Sequence, residues 1–149
     1  MGCCVTMTIT MTIKNVVVGI LFKTLNNTKE YLFMSSTKDF GKFTGLLYPV
    51  GGHLEEGETE KDALKREIQE ELGIKVEPLK KLFQSPGDIP NQITHWWVCK
   101  PLPSNIIFKV DKNEVNNILW MNKEEITKNS SLFWPATYKF FTDCLFKSK

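Results

Sequence analysis

The sequence predicts a protein of the α/β (α+β) class, in which a mixed β-sheet packs against helices. Several segments have the alternation or the β-branched composition of strands, and one segment near the middle of the chain has the caps and apolar spacing of a helix. Strands and helices do not alternate regularly along the chain. A mixed sheet with helices against it is therefore favoured over a sheet built from repeated strand–helix units.

The N-terminal part of the chain has strand patterns joined by a turn. Residues 15–23 form a β-branched run typical of a strand buried on both faces, and residues 31–35 return as a second strand. Asparagines and a threonine at 26–28 supply the turn between them. Ahead of these, residues 5–13 alternate strictly between apolar side chains and threonine, which fits an added edge strand, an oligomer contact or a disordered leader.

One helix is predicted clearly, between Thr59 and Gly73. Thr59 can cap its N-terminus with Asp62 as the reciprocal partner, and Gly73 is the glycine expected just past the last turn. An apolar stripe at four-residue spacing docks this helix on the core, and its members are Leu64, Ile68 and Leu72.

The remaining elements are short strands and C-terminal helices. A loop at 41–45 precedes a short apolar segment at 46–50, and the breakers of 85–91 separate two later strands. The strands expected after the helix are 74–83, 93–102 and 118–121. Asn122 is expected to cap a short helix, and Pro135 suits the first turn of a closing helix that runs to about Phe146.

Length and composition indicate one globular domain. Residues 14–149 are expected to form that domain, and residues 1–13 an N-terminal extension. Of the 149 residues, 42% are hydrophobic and 24% are charged, which is ordinary for a globular protein. The formal net charge of only +2 argues against a dedicated nucleic-acid binder, so no stable nucleic-acid complex is expected. A nucleotide substrate needs only local cations and is not excluded.

Cysteine usage predicts a cytoplasmic protein with reduced thiols, and a monomer or a homodimer is expected. The cysteines have no zinc-site spacing and do not suggest a disulfide framework; they are Cys3, Cys4, Cys99 and Cys144. No run of 18 apolar residues occurs, so no membrane span is expected. The start of the chain, Met1–Thr6, fits the loose N-myristoylation pattern, which makes an N-terminal lipid anchor the alternative in a eukaryote.

Three glutamates of the predicted helix fall on one face. Glu67, Glu70 and Glu71 stand at i, i+3 and i+4, where like charges repel one another. A divalent cation removes this conflict, and magnesium and manganese prefer hard carboxylate oxygens. Arg66 can pair with a carboxylate and fix its rotamer, and Gly51–Gly52 lets backbone approach a ligand closely. A solvated acidic face is the alternative, but these glutamates flank the core-facing stripe.

The segment Gly52–Ile74 resembles the Nudix box. Counting from Gly52, five residues lead to Glu58 and seven more to Arg66–Glu67. The aliphatic, glutamate and glycine positions that follow also agree, so nine specified positions over 23 residues match without a deviation. A match of this length, on a predicted loop and helix, is specific.

Further segments are similar to the MutT-like branch of that family, and together the likeness covers most of residues 14–146. Ile93–Trp97 matches an Ile-Thr and aromatic strand, and Glu114 lies six residues before Trp120, as a metal-binding glutamate of that branch does. Phe133–Thr137 loosely matches its Phe-Pro-Pro-Ala-Asn segment. Two positions depart from the pattern. Val50 lies between the proline and the paired glycines, and Thr137 stands where this branch has an asparagine that reads the base.

The resemblance implies a Nudix-type α/β/α sandwich and a hydrolase that cuts a phosphoanhydride bond in a nucleoside triphosphate or another linked nucleoside diphosphate. It implies a Mg²⁺ cofactor, with Mn²⁺ as a substitute. The implied metal ligands are the Gly51 carbonyl, Glu67, Glu70, Glu71 and Glu114. Glu67 is either the general base or a ligand, Arg66 orients a glutamate, and Glu58 supports the site.

Several alternatives stay open at this level. The substrate could be ADP-ribose, a sugar nucleotide or a dinucleoside polyphosphate, and the family also contains non-catalytic modules that bind nucleotide or RNA. Glu114 fits a surface residue as well as a ligand. Side chains that could touch substrate, or belong to a loop, the sheet or the core instead, are His53, His95, Trp97, Phe133 and Trp134.

Overall fold

The computed structural model of the protein describes residues 12–102 and 107–147. The strands are β1 (Lys14–Ile20), β2 (Phe22–Leu25), β3 (Thr28–Ser36), β4 (Gly51–His53), β5 (Lys75–Pro86), β6 (Gln92–Leu102) and β7 (Val115–Asn122). The α-helices are α1 (Glu60–Leu72), α2 (Lys123–Lys128) and α3 (Pro135–Lys139). Shorter helical turns occur at Gly41–Phe43, Ser130–Leu132 and Phe140–Leu145.

The strands form two sheets. The first has the order β4-β1-β6-β5, in which β1 and β6 are parallel and the other pairs are antiparallel. The mixed sheet predicted from the sequence is therefore confirmed. The second sheet is antiparallel, with the order β2-β3-β7. It was not predicted, and it divides the expected strand 15–23 in two, because the fully buried Leu21 lies where the chain passes from one sheet to the other.

Two of the later strands, β5 and β7, are longer than the sequence indicates. β5 extends to Pro86, and β7 begins at Val115 rather than at residue 118. The added residues of β7 include exposed asparagines, so no apolar alternation marks them. They are strand because they pair with the last residues of β3, with Ser36 opposite Val115.

α1 is built as its sequence predicts. The Thr59 hydroxyl accepts a hydrogen bond from the Asp62 amide at 3.1 Å, and Gly73 ends the helix in the left-handed conformation with φ of 67°. Its apolar stripe is fully buried against the mixed sheet. A Cβ at Gly19 of β1 would lie 2.9 Å from the Ile68 Cδ1 atom, so glycine at this position allows α1 to pack directly on the sheet.

The C-terminal helices cover the other side of the sheet. Asn122 and Glu125 form a complete capping box at the start of α2. α3 begins at Pro135 as expected, and the helical segment ends at Leu145, close to the predicted Phe146, but its second half, Phe140–Leu145, consists of π-helical turns. In this wider turn Phe140 and Phe141 are both buried, and Phe140 stacks on Trp96 with ring centroids 4.1 Å apart.

The core therefore has two parts, one on each face of the mixed sheet. Val17 of β1 packs in the cluster that contains the α1 stripe, and Val18 packs in the cluster that contains Phe140 and Phe141. This arrangement places helices on both faces, as an α/β/α sandwich requires. In the described ranges no helix is long and apolar enough to cross a membrane. The patterns at residues 1–11, including Cys3 and Cys4, lie outside the described residues.

Candidate active site

A cavity of about 480 Å³ opens beside the mixed sheet and receives side chains from most of the elements. α1, the loop after β4 and the segment before β7 contribute acidic groups, and β6 and the segments after β3 and before α3 contribute aromatic rings. The acidic side chains, here called the acidic end, are Glu55, Glu67, Glu70, Glu71 and Glu114. The larger side chains, here called the aromatic end, are Phe40, Tyr48, Ile89, Trp96 and Trp134.

Glu71 is the most deeply buried of the acids. Glu71 is only 8% exposed, and its Oε2 atom has no hydrogen-bond partner. Burial, together with the negative charges of Glu67 and Glu114, raises the pKa of Glu71 to about 8. The backbone amide of Gly51 is the hydrogen-bond donor that partly offsets this shift. A buried carboxylate oxygen without a partner is costly in itself, and a bound cation could satisfy it.

Arg66 connects the acidic end of the cavity to the loop before α1. Its Nε and Nη2 atoms donate to the two carboxylate oxygens of Glu58, at 2.7 and 2.9 Å. Its Nη1 atom donates to Glu67 at 2.8 Å, and Nη2 also donates to the His53 carbonyl at 3.0 Å. Glu70 lies at 3.4 Å from the same guanidinium. The hydrogen bonds from Arg66 hold the pKa of Glu58 down at about 2, so Glu58 stays ionised.

Glu67 lies against the backbone of β4. A Cβ placed on Gly52 would be 2.2 to 2.5 Å from the carboxyl atoms of Glu67, so this contact needs a residue without a side chain. Burial is the main cause that raises the pKa of Glu67, and the bond from Arg66 opposes it. A carboxylate with a raised pKa, held at the cavity wall, is a stronger proton acceptor than an ordinary glutamate.

The cavity carboxylates are of the chemical type that binds a divalent metal ion. All the donor atoms are oxygens, and Glu71, with its unpartnered Oε2, lines the cavity together with Glu67, Glu70 and Glu114. Within residues 12–102 and 107–147, no three His, Cys, Asp or Glu side chains are already gathered as a metal cage. Arg66 engages Glu67 and Glu70 in this arrangement, so a metal site needs side-chain rotation there.

The aromatic end of the cavity is formed around Trp134. Its ring stacks on Phe43 with centroids 4.7 Å apart, and Phe40 and Tyr48 meet it edge-on. Both carboxylate oxygens of Asp88 accept hydrogen bonds from the Ala136 amide, at 3.0 and 3.1 Å. This bond fixes the first turn of α3 at the cavity wall and places Thr137 there.

Some residues singled out in the sequence lie elsewhere. His95 is buried but does not line the cavity, and its ring nitrogens contact Asn15 at 2.8 Å and Lys81 at 2.9 Å. Trp97 donates to Glu60 at the start of α1. Phe133 is a core residue, 2% exposed. Trp134 and His53 do line the cavity.

Other cavity residues were missed by the sequence analysis. Lys38 follows β3 and its charge lowers the pKa of Glu71, and burial raises the pKa of Tyr48 to about 12. Asp88 was treated only as part of a breaker-rich loop. A polar residue directly after a strand is the signal that could have indicated Lys38, since such loops carry functional groups. No local pattern distinguishes Tyr48 or Asp88.

The helix-flanked mixed sheet and the glutamate-bearing α1 at its cavity define a Nudix-type hydrolase fold. The family model described as NUDIX domain matches residues 14–144. The chain belongs to the NUDIX family.

Individual relatives agree with this assignment. The human NAD-capped RNA hydrolase NUDT12 is 33% identical over 82 residues, which are 55% of this chain but only 17% of the human protein. Nucleoside triphosphatase NudI of Enterobacter sp. (strain 638) is 43% identical over 53 residues, or 36% of this chain and 38% of that protein. A NUDIX hydrolase structure from Nitrosomonas europaea superposes with a TM-score of 0.69 at 17% identity, covering 89% of this chain and 88% of that one. The structural likeness shows the shared fold.

Proposed function

We propose that the protein is a Mg²⁺-dependent hydrolase that cleaves a phosphoanhydride bond in a nucleoside triphosphate or another linked nucleoside diphosphate. The observation that carries the proposal is Glu71, whose buried carboxylate has an unpartnered oxygen among further glutamates at one end of the cavity. Such a group is stabilised by a cation, and a polyphosphate is the substrate that a cation at this position would bind.

The residues that would hold Mg²⁺ are the Gly51 carbonyl, Glu70, Glu71 and Glu114, and Glu67 is a further ligand in the alternative in which it is not the general base. Mn²⁺ is expected to substitute, because it accepts the same oxygen donors. When bound, the ion supplies positive charge that offsets the charge of the phosphates and favours ionisation of water. Lys38 is the additional cation at this end of the cavity, and we expect its ammonium to contact the phosphates.

Glu67 is the proposed general base. Its raised pKa and its place at the cavity wall suit it to take a proton from the water that attacks phosphorus. Arg66 holds the Glu67 carboxylate through Nη1, and Glu58 holds Arg66 with two bonds, so rotation of Glu67 is restricted. The leaving group is a nucleotide, phosphate or pyrophosphate, depending on which phosphorus is attacked.

The aromatic end of the cavity is proposed to bind the base. Trp134 is held in place by Phe43 and Phe40, and a rigid ring at a cavity wall is suited to stack on a base. The polar groups of Thr137 and Asp88 lie at the same end. They provide hydrogen-bonding atoms beside the proposed stacking position.

The proposal is tested by a panel of substrates with Mg²⁺. The panel contains nucleoside triphosphates, ADP-ribose, sugar nucleotides, dinucleoside polyphosphates and NAD, and the release of nucleoside monophosphate, phosphate and pyrophosphate is measured. Hydrolysis of at least one class is expected with Mg²⁺ or Mn²⁺, and none in chelator or in Glu71→Gln. Binding of these nucleotides without turnover would instead support a non-catalytic binding module. Full turnover in chelator, with residual metal shown to be absent, would disprove the metal dependence.

A further inference from the structure

We propose that Thr37 is a positioning residue for Glu114, and that it holds Glu114 at the cavity before any substrate binds. This inference rests on the proposed function, in which Glu114 contributes to the metal site. Glu114 lies in a segment of residues 109–115, here called the 109–115 turn, which leads into β7.

Thr37 makes two hydrogen bonds to consecutive residues of that turn. Its backbone amide donates to the Glu114 carbonyl at 3.0 Å, and its Oγ1 donates to the Asn113 carbonyl at 2.6 Å. Thr37 directly follows β3, the strand that pairs with β7. Thr37, at the end of β3, therefore fixes the backbone carbonyls before and after the Cα atom that carries the Glu114 side chain.

The strand pairing beside Thr37 is irregular. The register of β3 against β7 shifts between Ser35 and Ser36, and Ser36 then pairs with Val115. Irregularities of this kind bend a strand and change the direction of neighbouring side chains. Here the shift lies next to Glu114, the member of the cavity lining that precedes β7.

The opposite side of the 109–115 turn is bonded to the end of α1. The Lys109 amide donates to the Leu72 carbonyl at 2.8 Å, and the Asp111 amide donates to the Glu71 carbonyl at 3.0 Å. These carbonyls belong to the last turn of the helix, where no intrahelical donor is left. A Cβ at Gly73 would lie 2.8 Å from the Lys109 carbonyl oxygen, so the turn approaches the helix closely.

The turn is also bonded within itself. The Asp111 carbonyl accepts the amides of Glu114 and Val115, at 3.1 and 2.9 Å, and its Oδ1 accepts the Asn113 amide at 3.0 Å. The Glu114 backbone is thus held between α1, which carries Glu71, and the end of β3. Because the backbone of Glu114 is already fixed, metal binding has to order only its side chain. The entropy cost of binding is therefore smaller than it would be for a mobile turn.

Thr37→Val tests this role directly, because the Oγ1 bond to Asn113 is the contact of Thr37 that a substitution can remove. Thr37 is exposed, so valine opens no internal cavity, and its backbone amide is retained. Thr37→Ser keeps the hydroxyl and is the conservative variant. Thr127→Val is the matched control, because the Thr127 hydroxyl makes an equivalent 2.7 Å bond to the Lys123 carbonyl in α2.

The experiment is a double-mutant cycle of Thr37→Val and Glu114→Gln in the full chain. Mn²⁺ affinity is measured without substrate by electron paramagnetic resonance. The kcat is measured by steady-state kinetics with the best substrate, and the melting temperature is measured by calorimetry. Thr37→Val is expected to weaken Mn²⁺ binding and lower kcat by about threefold to tenfold, the usual range for one hydrogen bond. Thr37→Ser is expected to stay within about twofold of wild type, as is Thr127→Val. In the Glu114→Gln background, Thr37→Val is expected to add no further loss.

Two results would overturn the inference. One is an equal loss from Thr37→Val with and without Glu114→Gln, because Thr37 would then act independently of Glu114. The other is wild-type Mn²⁺ affinity and kcat in Thr37→Val or in Glu114→Gln. Either result leaves the proposed hydrolase intact, since wild-type turnover continues. Failure of the proposed function has a different signature, in which the wild type hydrolyses no substrate although the cycle in Mn²⁺ affinity still shows coupling between Thr37 and Glu114.

Discussion

Arg66 and Glu58 form a two-bond ion pair that joins the loop before α1 to the helix itself. Nε donates to Oε2 at 2.7 Å and Nη2 to Oε1 at 2.9 Å. This parallel geometry belongs to arginine alone, because a lysine ammonium is a single point charge. Since the third nitrogen of the guanidinium donates to Glu67, the pair also determines where the proposed base lies.

Arg66→Lys is therefore expected to lower kcat by at least roughly tenfold, about 1.4 kcal/mol of transition-state stabilisation. The charge is conserved, but one donor group cannot hold Glu58 and Glu67 in the same way. Steady-state kinetics at saturating Mg²⁺ measures the effect. Lys65→Arg is the control, because Lys65 is the exposed neighbour on the same helix. Near-normal turnover in Arg66→Lys would show that Glu67 needs no orientation by arginine.

Gly52→Ala is expected to abolish most activity while leaving the fold almost as stable as in the wild type. The added Cβ would overlap the carboxyl of Glu67, which is the end of a flexible side chain and can move away. Gly51→Ala is the contrasting variant, because its Cβ would lie 2.0 Å from the Val17 carbonyl oxygen, a backbone atom. Melting temperature should fall steeply for Gly51→Ala and little for Gly52→Ala. An active Gly52→Ala protein would contradict the role given to Glu67.

Glu71→Gln is expected to remove a pH dependence of stability in the metal-free protein. The folded-state pKa of Glu71, about 8, is above its ordinary value of 4.5. The stabilising contribution of the protonated form is therefore complete below about pH 4.5 and is lost as the pH rises through 8. Wild type and Glu71→Gln should thus have similar melting temperatures at pH 4.5, and the wild type should be less stable at pH 9.

The measurement is a series of melting curves in chelator from pH 4.5 to 9, repeated with Mg²⁺. Mg²⁺ is expected to restore the stability of the wild type at high pH and to have less effect on Glu71→Gln, because an ion that binds the folded state stabilises it. Glu70→Gln is the control for the curves in chelator, since the Glu70 side chain is 57% exposed. Parallel curves for wild type and Glu71→Gln would disprove the burial argument.

Trp134→Ala is expected to raise KM by roughly tenfold and to change kcat much less. The ring is proposed to stack on the base, away from the phosphorus that is attacked, and stacking on one base contributes about 1–3 kcal/mol. Kinetics with a nucleotide and with inorganic triphosphate separates base binding from phosphate binding. Trp120→Ala is the control, because Trp120 does not line the cavity. An equal effect on both compounds would exclude a base-specific role for Trp134.

The sequence by itself determined helix α1. Thr59 and Gly73 define its ends through bonds to residues within four positions, and the shared face of Glu67, Glu70 and Glu71 follows from helix geometry. The glycines before it were predicted to let backbone approach a ligand, which stays a prediction; what the structure shows is that Gly52 lies against the Glu67 carboxyl. These features are local, so they depend on little beyond the neighbouring residues.

The tertiary structure decided how distant segments meet. Asp88 bonds to Ala136 across 48 residues, and Thr37 reaches Asn113 across 76. The sequence around these residues shows only breakers and polar loops, so Lys38, Tyr48 and Asp88 were missed. For the same reason the sequence did not decide whether Glu114 is a metal ligand or a surface residue. Their positions follow from strand register and from the packing of both sheets on α1. Those are set by the whole chain together, because a shift of one residue in register would turn the same side chains to the opposite face.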